Sequence, residues 1–79
     1  MNSFPVTVDA TATLLSQANA IRSVYNGSAY TVYLGGPNLT TENYVVAIVP
    51  NGYFEEPVQT NQALYAISTA PATVNVGEW

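Results

Sequence analysis

The 79-residue sequence contains no cysteine, no histidine and no lysine, and its single arginine is Arg22. Without cysteine a chain forms neither a disulfide nor a thiolate metal site. Histidine is the commonest general base at neutral pH and the commonest transition-metal ligand. The many serine and threonine hydroxyls therefore have no histidine or lysine to activate them as nucleophiles. These absences predict a protein that is not an enzyme and that holds no metal ion or cofactor.

Positive charge is nearly absent, because Arg22 stands against five carboxylates and the formal net charge is −4. Proteins that bind nucleic acids neutralise phosphates with lysine and arginine, and anionic membranes attract the same basic side chains. The sequence therefore excludes nucleic acid and membrane as partners. The first fifteen residues, MNSFPVTVDATATLL, lack a basic region and a long apolar run, so we expect no signal peptide and synthesis in the cytoplasm.

The acidic residues form no recognisable catalytic pair. Glu55 and Glu56 are adjacent, and neighbouring side chains of a strand point to opposite faces, so these carboxylates would not converge on one substrate or ion. A glycosidase needs two carboxylates that face each other across a cleft. A calcium site that combines one of them with Asp9 or Glu42 is an alternative. We favour solvated surface charge, because no ligand spacing is visible.

Short runs of β-branched and aromatic residues alternate with glycine, proline and asparagine along the chain. Such runs at intervals of roughly 8–12 residues are typical of antiparallel sandwiches and barrels. The sequence predicts a single all-β domain over residues 1–79, a small antiparallel β-sandwich or jelly-roll-like barrel of about 6–8 short strands. We expect strands at Phe4–Val8, Ile21–Tyr25, Tyr30–Leu34, Tyr44–Val49, Tyr53–Val58, Ala63–Thr69 and Thr73–Gly77, with Ala12–Leu15 either a further strand or a continuation of the first.

Turn residues predict the connections. Residues 26–29 (NGSA) separate two β-rich runs, and asparagine and glycine accept positive φ, so we expect a tight hairpin there. Its second strand should end at residues 35–37 (GGP), and residues 50–52 (PNG) should form another turn. Residues 16–20 (SQANA) are expected to be a connector. The run Tyr44–Val49 is continuously apolar, which predicts a strand covered on both faces, either by the sandwich or by a partner.

Two proline residues predict which strands lie at sheet edges, and alternating apolar residues predict which side of the last strand faces the core. Pro5 and Pro57 cannot donate a hydrogen bond to a ladder, so the strands that contain them should be edge strands. In the last strand, Val74 and Val76 should face the core because they occupy alternate positions. Residues 1–20 form either an edge strand or an extended arm that contacts a neighbouring subunit.

A chain of this length buries only roughly 60% of its unfolded surface, so association with other chains would help to stabilise it. Tyrosine is enriched in interface cores, where lysine and glutamate are depleted. The candidate interface residues are Tyr33, Tyr44, Tyr53, Arg22 and Trp79. We expect any ion pair of Arg22 to involve Glu42 or a partner's carboxylate. For each tyrosine the alternative is ordinary packing in or beside the core.

The order of motifs from Ser23 onward resembles that of a known family. An apolar strand leads into NGS at 26–28, TVYLGGPNLT at 31–40, PNG at 50–52, LYAIS at 64–68 and ATVNV at 72–76. This order is similar to that of short β-sandwich proteins encoded among the structural genes of tailed bacteriophages. Members usually place a Gly–Tyr/Phe–Pro–Leu segment after the threonines. This chain has ENYVV at 42–46 instead, so the loop and the following strand depart from the pattern.

The resemblance implies a structural virion protein, most specifically a head decoration (cement) protein on the outer surface of the capsid lattice. Its partners would be the major capsid protein or other virion subunits. We expect a homo-oligomer, with a trimer favoured because closed symmetry suits three-fold lattice positions. Two alternatives stay open. One is a neck, tail or fibre component of the virion, and the other is a small carbohydrate-binding or adhesin-like module with its tyrosines as the platform.

Overall fold

The structure is a computed structural model that describes residues 2–17 and 20–79, with the backbone alone at residues 20 and 57–60. The described strands are β1 (Asn2–Val8), β2 (Thr13–Ser16), β3 (Ala20–Tyr25), β4 (Val32–Gly35), β5 (Val46–Ile48), β6 (Tyr53–Thr60), β7 (Leu64–Ser68) and β8 (Ala72–Glu78). No helix occurs in these residues, so the predicted all-β class is confirmed. Residues 18 and 19 of the expected connector, and residue 1 of the N-terminal segment, lie outside the described residues.

The strands form two four-stranded antiparallel sheets that pack together. The first sheet has the order β1-β8-β3-β6 and the second has the order β2-β7-β4-β5. Strands pair as β1 with β8, β2 with β7, β3 with β6 and β4 with β5, so the chain resembles one long hairpin rolled upon itself. Contacts of β3 with β8 and of β4 with β7 complete the sheets. This arrangement of the described strands is a jelly-roll type of β-sandwich, as predicted.

The predicted hairpin between Ile21–Tyr25 and Tyr30–Leu34 is wrong. β3 lies in the first sheet beside β6 and β8, whereas β4 lies in the second sheet beside β5 and β7. The chain between them therefore crosses from one sheet to the other. The positive φ expected there is absent, because among the described residues it occurs only at Asn51 and at no glycine.

Asn26 explains why the chain crosses over instead of reversing. Its fully buried side chain donates from Nδ2 to the carbonyl oxygens of Tyr30 at 2.7 Å and Ile48 at 2.8 Å. Its Oδ1 accepts hydrogen bonds from the Ser28 N–H at 3.0 Å and the Ser28 hydroxyl at 2.6 Å. The backbone N–H of Asn26 donates to Gly52, which continues the β3–β6 ladder by one residue. A side chain that hydrogen-bonds nearby backbone groups thus replaces the expected turn.

Alternating side chains from both sheets fill the space between them. The core cluster consists of Val8, Leu15, Val24, Val32, Leu34, Ile48, Leu64, Ala66, Ala72, Val74 and Val76. The inward orientation predicted for Val74 and Val76 is confirmed, since both are fully buried. Full burial of one such valine or leucine side chain contributes about 1.5–3 kcal/mol.

The apolar run Tyr44–Val49 departs from its prediction. Only Val46–Ile48 forms a strand, β5, at the outer edge of the second sheet. In the single chain one face of this strand is uncovered, since Ala47 is exposed. Ile48 is buried, but Val45 is 81% exposed and Val49 is 60% exposed. The strand is short because the Gly52 N–H donates to the carbonyl oxygen of Val49 at 2.9 Å, which turns the chain away directly after β5.

The other turn and edge predictions hold. The turn at residues 50–52 is present, with Asn51 at a φ of 68°, and β4 ends at Gly35 as expected. Pro5 and Pro57 lie in β1 and β6, the two edge strands of the first sheet. Residues 2–8 pair with β8 of their own domain in the register Asn2–Val8 against Ala72–Glu78. In the single chain this segment is therefore an edge strand.

Candidate interaction surfaces

The five candidate interface residues do not share one surface. Tyr53 is exposed on the first sheet, and Trp79 directly follows β8 of that sheet. Tyr33 lies in β4 of the second sheet, between two buried residues, and its ring is 4.8 Å from that of Tyr44, with the planes inclined at 53°. Arg22 is buried. The predicted set therefore divides into one aromatic pair on each sheet and one interior residue.

Arg22 points into the protein, with an exposed fraction of 1%. Its Nε donates to Glu56 Oε1 in an ion pair, because Glu56 is its cross-strand partner in β6. Its Nη1 donates to the carbonyl oxygen of Gln17 at 2.9 Å and its Nη2 to that of Gln62 at 2.6 Å. The intrachain partner is therefore Glu56 and not Glu42. The guanidinium ties two loops to the end of the first sheet and leaves the single chain's surface without this cation.

A second polar contact lies in the same part of the molecule. Ser16 Oγ donates to Glu78 Oε2 at 2.5 Å, and Glu78 is the β8 cross-strand partner of Arg22. Ser16 is buried although it follows the buried Leu15, because the register of β2 shifts at this point. Within the described residues, every buried side-chain nitrogen and oxygen has a hydrogen-bond partner. These interior groups are thus engaged in holding the sheets together.

The outer face of the first sheet carries several exposed, mostly aromatic side chains. Their exposed fractions are 38% for Ile21, 43% for Tyr25, 69% for Tyr53 and 62% for Trp79. Tyr25 and Tyr53 are direct cross-strand partners on β3 and β6. We refer to these four residues as the aromatic face. Ile21 and Tyr25 alternate along β3 with the buried Arg22 and Val24, so their side chains lie on the face opposite the core.

Two rings of the aromatic face are seated on glycines. A Cβ atom added to Gly77 would lie 3.5 Å and 3.6 Å from two carbons of the six-membered ring of Trp79. A Cβ added to Gly27 would lie 3.1 Å from the ring of Tyr25. The Trp79 backbone N–H also donates to the carbonyl oxygen of Ile21 at 2.9 Å, which fixes Trp79 against β3. These contacts restrict the rings, so a ligand would meet a surface that is already ordered.

Glu55 lies among these rings. A depression of about 260 Å³ is lined by Ser23, Val24, Tyr25, Tyr53, Glu55 and Trp79. A neighbouring depression of about 250 Å³ shares Glu55 and Trp79 and extends towards Ile21 and the paired side chains of Arg22 and Glu56. We refer to the two together as the Glu55 groove. Within the described part of the chain, no hydrogen bond or ion pair engages the Glu55 carboxylate.

The second exposed apolar surface lies at the free edge of the second sheet. It consists of Tyr44, Val45 and Val49, which are 45%, 81% and 60% exposed, and we call it the β5 margin. The outer side of β5 has no strand partner among the described residues. Natural proteins commonly protect such edges with lysine or other charges, and the sequence has no lysine. The β5 margin is thus open to another chain.

A cleft of about 220 Å³ opens between the edges of β5 and β6. Its apolar lining includes Leu34, Val46, Phe54 and Leu64, and its polar lining includes Arg22 and Glu56. Small-molecule sites are usually larger, at about 300–1,000 Å³, and use a few polar groups to orient the ligand. Because Arg22 and Glu56 already bond to each other, they do not form an obvious ligand site.

Sequence reasoning missed Ile21, Tyr25 and Glu55 as parts of one surface. Alternation along β3 contains the signal for the first two, because a buried Val24 places Ile21 and Tyr25 on the opposite face. Their proximity to Glu55 depends on the pairing of β3 with β6. The sequence analysis did not predict that pairing, because it placed β3 in a hairpin with β4.

The described residues contain neither a metal-binding cluster nor a membrane-spanning helix. No group of three or more histidine, cysteine, aspartate or glutamate side chains could hold a metal ion there. None of the described segments is a helix with the length and apolar character needed to cross a membrane. Comparisons with protein-family models, with curated proteins and with solved structures find no match to this chain.

Proposed function

We propose that this chain is a non-enzymatic structural protein of a virion, and most specifically a decoration protein on the outside of a phage head. The observation that carries the proposal is the presence of two separate exposed apolar surfaces on one small sandwich. Tyr53 and Trp79 represent the aromatic face, and Val45 and Val49 represent the β5 margin. Exposed patches of this kind commonly mark interaction sites. Two of them suit a subunit that contacts a neighbouring copy and the lattice at the same time.

The fold and the sequence resemblance give independent support to the proposal. Jelly-roll sandwiches occur in viral capsid proteins, lectins and cupins, so the fold is compatible with a virion role. A fold by itself does not determine a function. The motifs from Ser23 onward, which resemble those of phage structural proteins, favour the virion role over the others.

Side-chain chemistry supports a role without catalysis. The chain has no histidine, lysine or cysteine. Arg22 is bonded to Glu56 and two backbone carbonyls, and Glu78 is bonded to Ser16. These bonded side chains stabilise the sandwich. The exposed aromatic face and β5 margin would then serve as contact surfaces for other proteins.

The proposed partners are the major capsid protein or other virion subunits, and further copies of this chain. A homo-oligomer with closed symmetry, with a trimer favoured, would join copies at a lattice three-fold position. Several weak contacts per oligomer would then add to a strong overall attachment through avidity. Nucleic acid and membrane are not proposed as partners, because the described surface carries no basic side chain.

Quantitative mass spectrometry on particles purified from the source culture tests this function. We expect the chain to co-purify with the particles, at about one copy per capsid subunit or per lattice three-fold position. A handful of copies per particle would move the chain to the neck, the tail or a fibre. Absence from the particles would contradict a virion role altogether.

A carbohydrate-binding module is the second candidate function. It is favoured by one observation, the exposed rings of Tyr25, Tyr53 and Trp79 in a shallow depression. Sugars bind to aromatic rings through their apolar faces, and Trp79 is the sole tryptophan, so its fluorescence reports on this surface. A titration with neutral glycans that leaves this fluorescence unchanged would remove the candidate.

A further inference from the structure

The Glu55 groove combines features that recognise a positive charge. Aromatic rings carry partial negative charge on their faces and attract a cation within about 6 Å of the ring centre. Tyr25, Tyr53 and Trp79 line the same depression as Glu55, whose carboxylate has no described partner. A cation in this depression would therefore contact the aromatic rings and would also lie near an available carboxylate.

The charge of the remaining surface points in the same direction. Asp9, Glu42 and Glu55 are exposed, while the one basic side chain, Arg22, is 1% exposed and paired with Glu56. The described surface thus presents carboxylates without basic side chains. Complementary charge speeds the encounter of partners and selects between them, so a basic partner surface is favoured over an acidic one.

The groove suits a cation better than it suits a sugar. Sugar sites orient their ligand through several placed donors and acceptors. Among the lining residues of the main depression, Glu55 provides an acceptor, and Ser23 and the tyrosines provide only hydroxyl groups. No amide side chain lines it. A cation needs no donor from the protein, and this groove offers acceptors and ring faces.

We propose that the Glu55 groove binds an arginine side chain of a partner protein. Arginine is favoured over lysine because its planar guanidinium stacks on aromatic rings while also donating two hydrogen bonds to a carboxylate. The seating of Trp79 on Gly77 and of Tyr25 on Gly27 orders the rings in advance. This inference rests on the proposed function and specifies the chemistry of the partner surface that meets the aromatic face.

The test titrates the ¹⁵N-labelled full chain with N-acetyl-arginine amide and follows the backbone amide signals. The neutral control is N-acetyl-citrulline amide, which keeps the shape and loses the charge. We expect shifts at Ser23, Tyr25, Tyr53, Glu55 and Trp79 with the arginine compound. The affinity for the citrulline compound should be about fivefold lower, as expected for one exposed charge interaction.

Two matched variants locate the interaction. Glu55→Gln removes the carboxylate charge in the groove and should weaken arginine binding by about fivefold. Glu42→Gln removes the same charge from an exposed position in the β4–β5 connection and should leave the binding unchanged. Both side chains are exposed, so both variants should fold as the parent chain does.

Each other outcome overturns the inference. Equal shifts with the arginine and citrulline compounds would mean that the positive charge is not recognised. Shifts at the groove with methyl glucoside, and none with arginine, would assign the surface to sugars. No shift with arginine up to its solubility limit would also overturn it. The particle measurement keeps the two proposals separate, because a chain that co-purifies with particles but ignores arginine loses only this inference.

Discussion

Asn26 joins the two sheets by donating a side-chain hydrogen bond to the carbonyl oxygen of Ile48, at 2.8 Å. The amide lies directly after β3 of the first sheet, whereas Ile48 is the last residue of β5 in the second. The two residues are 22 positions apart in the chain. Because β5 pairs with β4 alone among the described strands, this hydrogen bond helps to fix the position of the β5 margin.

Replacement of Asn26 by alanine should destabilise the protein by about 2–3 kcal/mol, because it removes the buried donors of two carbonyl groups and an acceptor for Ser28. Urea unfolding followed by far-UV circular dichroism would measure the free energy of unfolding. Asn38→Ala is the control, since Asn38 is exposed and should change that free energy by less than about 0.5 kcal/mol. Equal effects of the two variants would contradict the role of Asn26.

Replacement of Arg22 by methionine should cost about 3 kcal/mol or more, since it leaves Glu56 and two backbone carbonyls without their donor. Arg22→Lys should retain the charge but lose part of this stability, because one ammonium group cannot reproduce the fork of the guanidinium. The double variant Arg22→Met/Glu56→Met should be more stable than Arg22→Met alone, because no unpaired carboxylate remains. Thermal and urea unfolding of all three variants would test this order, and a double variant no more stable than Arg22→Met alone would contradict it.

Gly77 and Ser23 should show coupled effects on stability. A Cβ atom at position 77 would approach Ser23 Oγ to 2.9 Å, which is too close for an undisturbed contact. Gly77→Ala should therefore destabilise the chain more in the parent background than in a Ser23→Ala background, where that oxygen is absent. A double-mutant cycle measured by urea unfolding gives the coupling, and a coupling of zero would show that the hydroxyl rotates away freely.

The sequence predicted those parts of the fold that depend on local chemistry. Pro5 and Pro57 indicated edge strands, and Val74 and Val76 indicated the core, because a missing N–H and alternation act at the residue itself. The NGSA segment at 26–29 misled because the same residues that favour a hairpin turn also favour side-chain hydrogen bonds to the backbone. Which of the two occurs depends on the carbonyl of Ile48, and its position follows from the whole strand order.

The candidate surfaces were predictable only in part for a related reason. Exposed tyrosines are suggested by composition, and Tyr53 and Trp79 do lie on one face. Their proximity to Glu55 and Tyr25 requires the β3–β6 register, which places Tyr25 opposite Tyr53 and Ser23 opposite Glu55. The register between strands that are far apart in the sequence cannot be predicted from any single run of residues. The burial of Arg22 was missed because an isolated arginine is usually exposed.

A lysine placed at Val45 or Val49 should weaken association of this chain with itself or with particles. Both positions are more than half exposed, so the free energy of unfolding should change by less than about 0.5 kcal/mol. Ser3→Lys adds the same charge at an exposed position on β1, which is the edge strand of the first sheet opposite β6, and serves as the control. Sedimentation velocity over a range of concentrations, together with binding to purified particles, would test this. Unchanged association in all three variants would exclude the β5 margin as a contact surface.

Asn51 should tolerate glycine better than alanine. Its φ of 68° lies in the left-handed region, which costs about 1–2 kcal/mol for most residues but is accessible to glycine and asparagine. Both replacements also remove the contact between Asn51 Oδ1 and the Tyr25 hydroxyl, which is 3.3 Å long. Because both variants lose that contact, the difference between their free energies of unfolding reports the conformational preference of the backbone at position 51. Urea unfolding should therefore place Asn51→Ala about 1 kcal/mol or more below Asn51→Gly. Equal stabilities would mean that the turn between β5 and β6 adopts another conformation in solution.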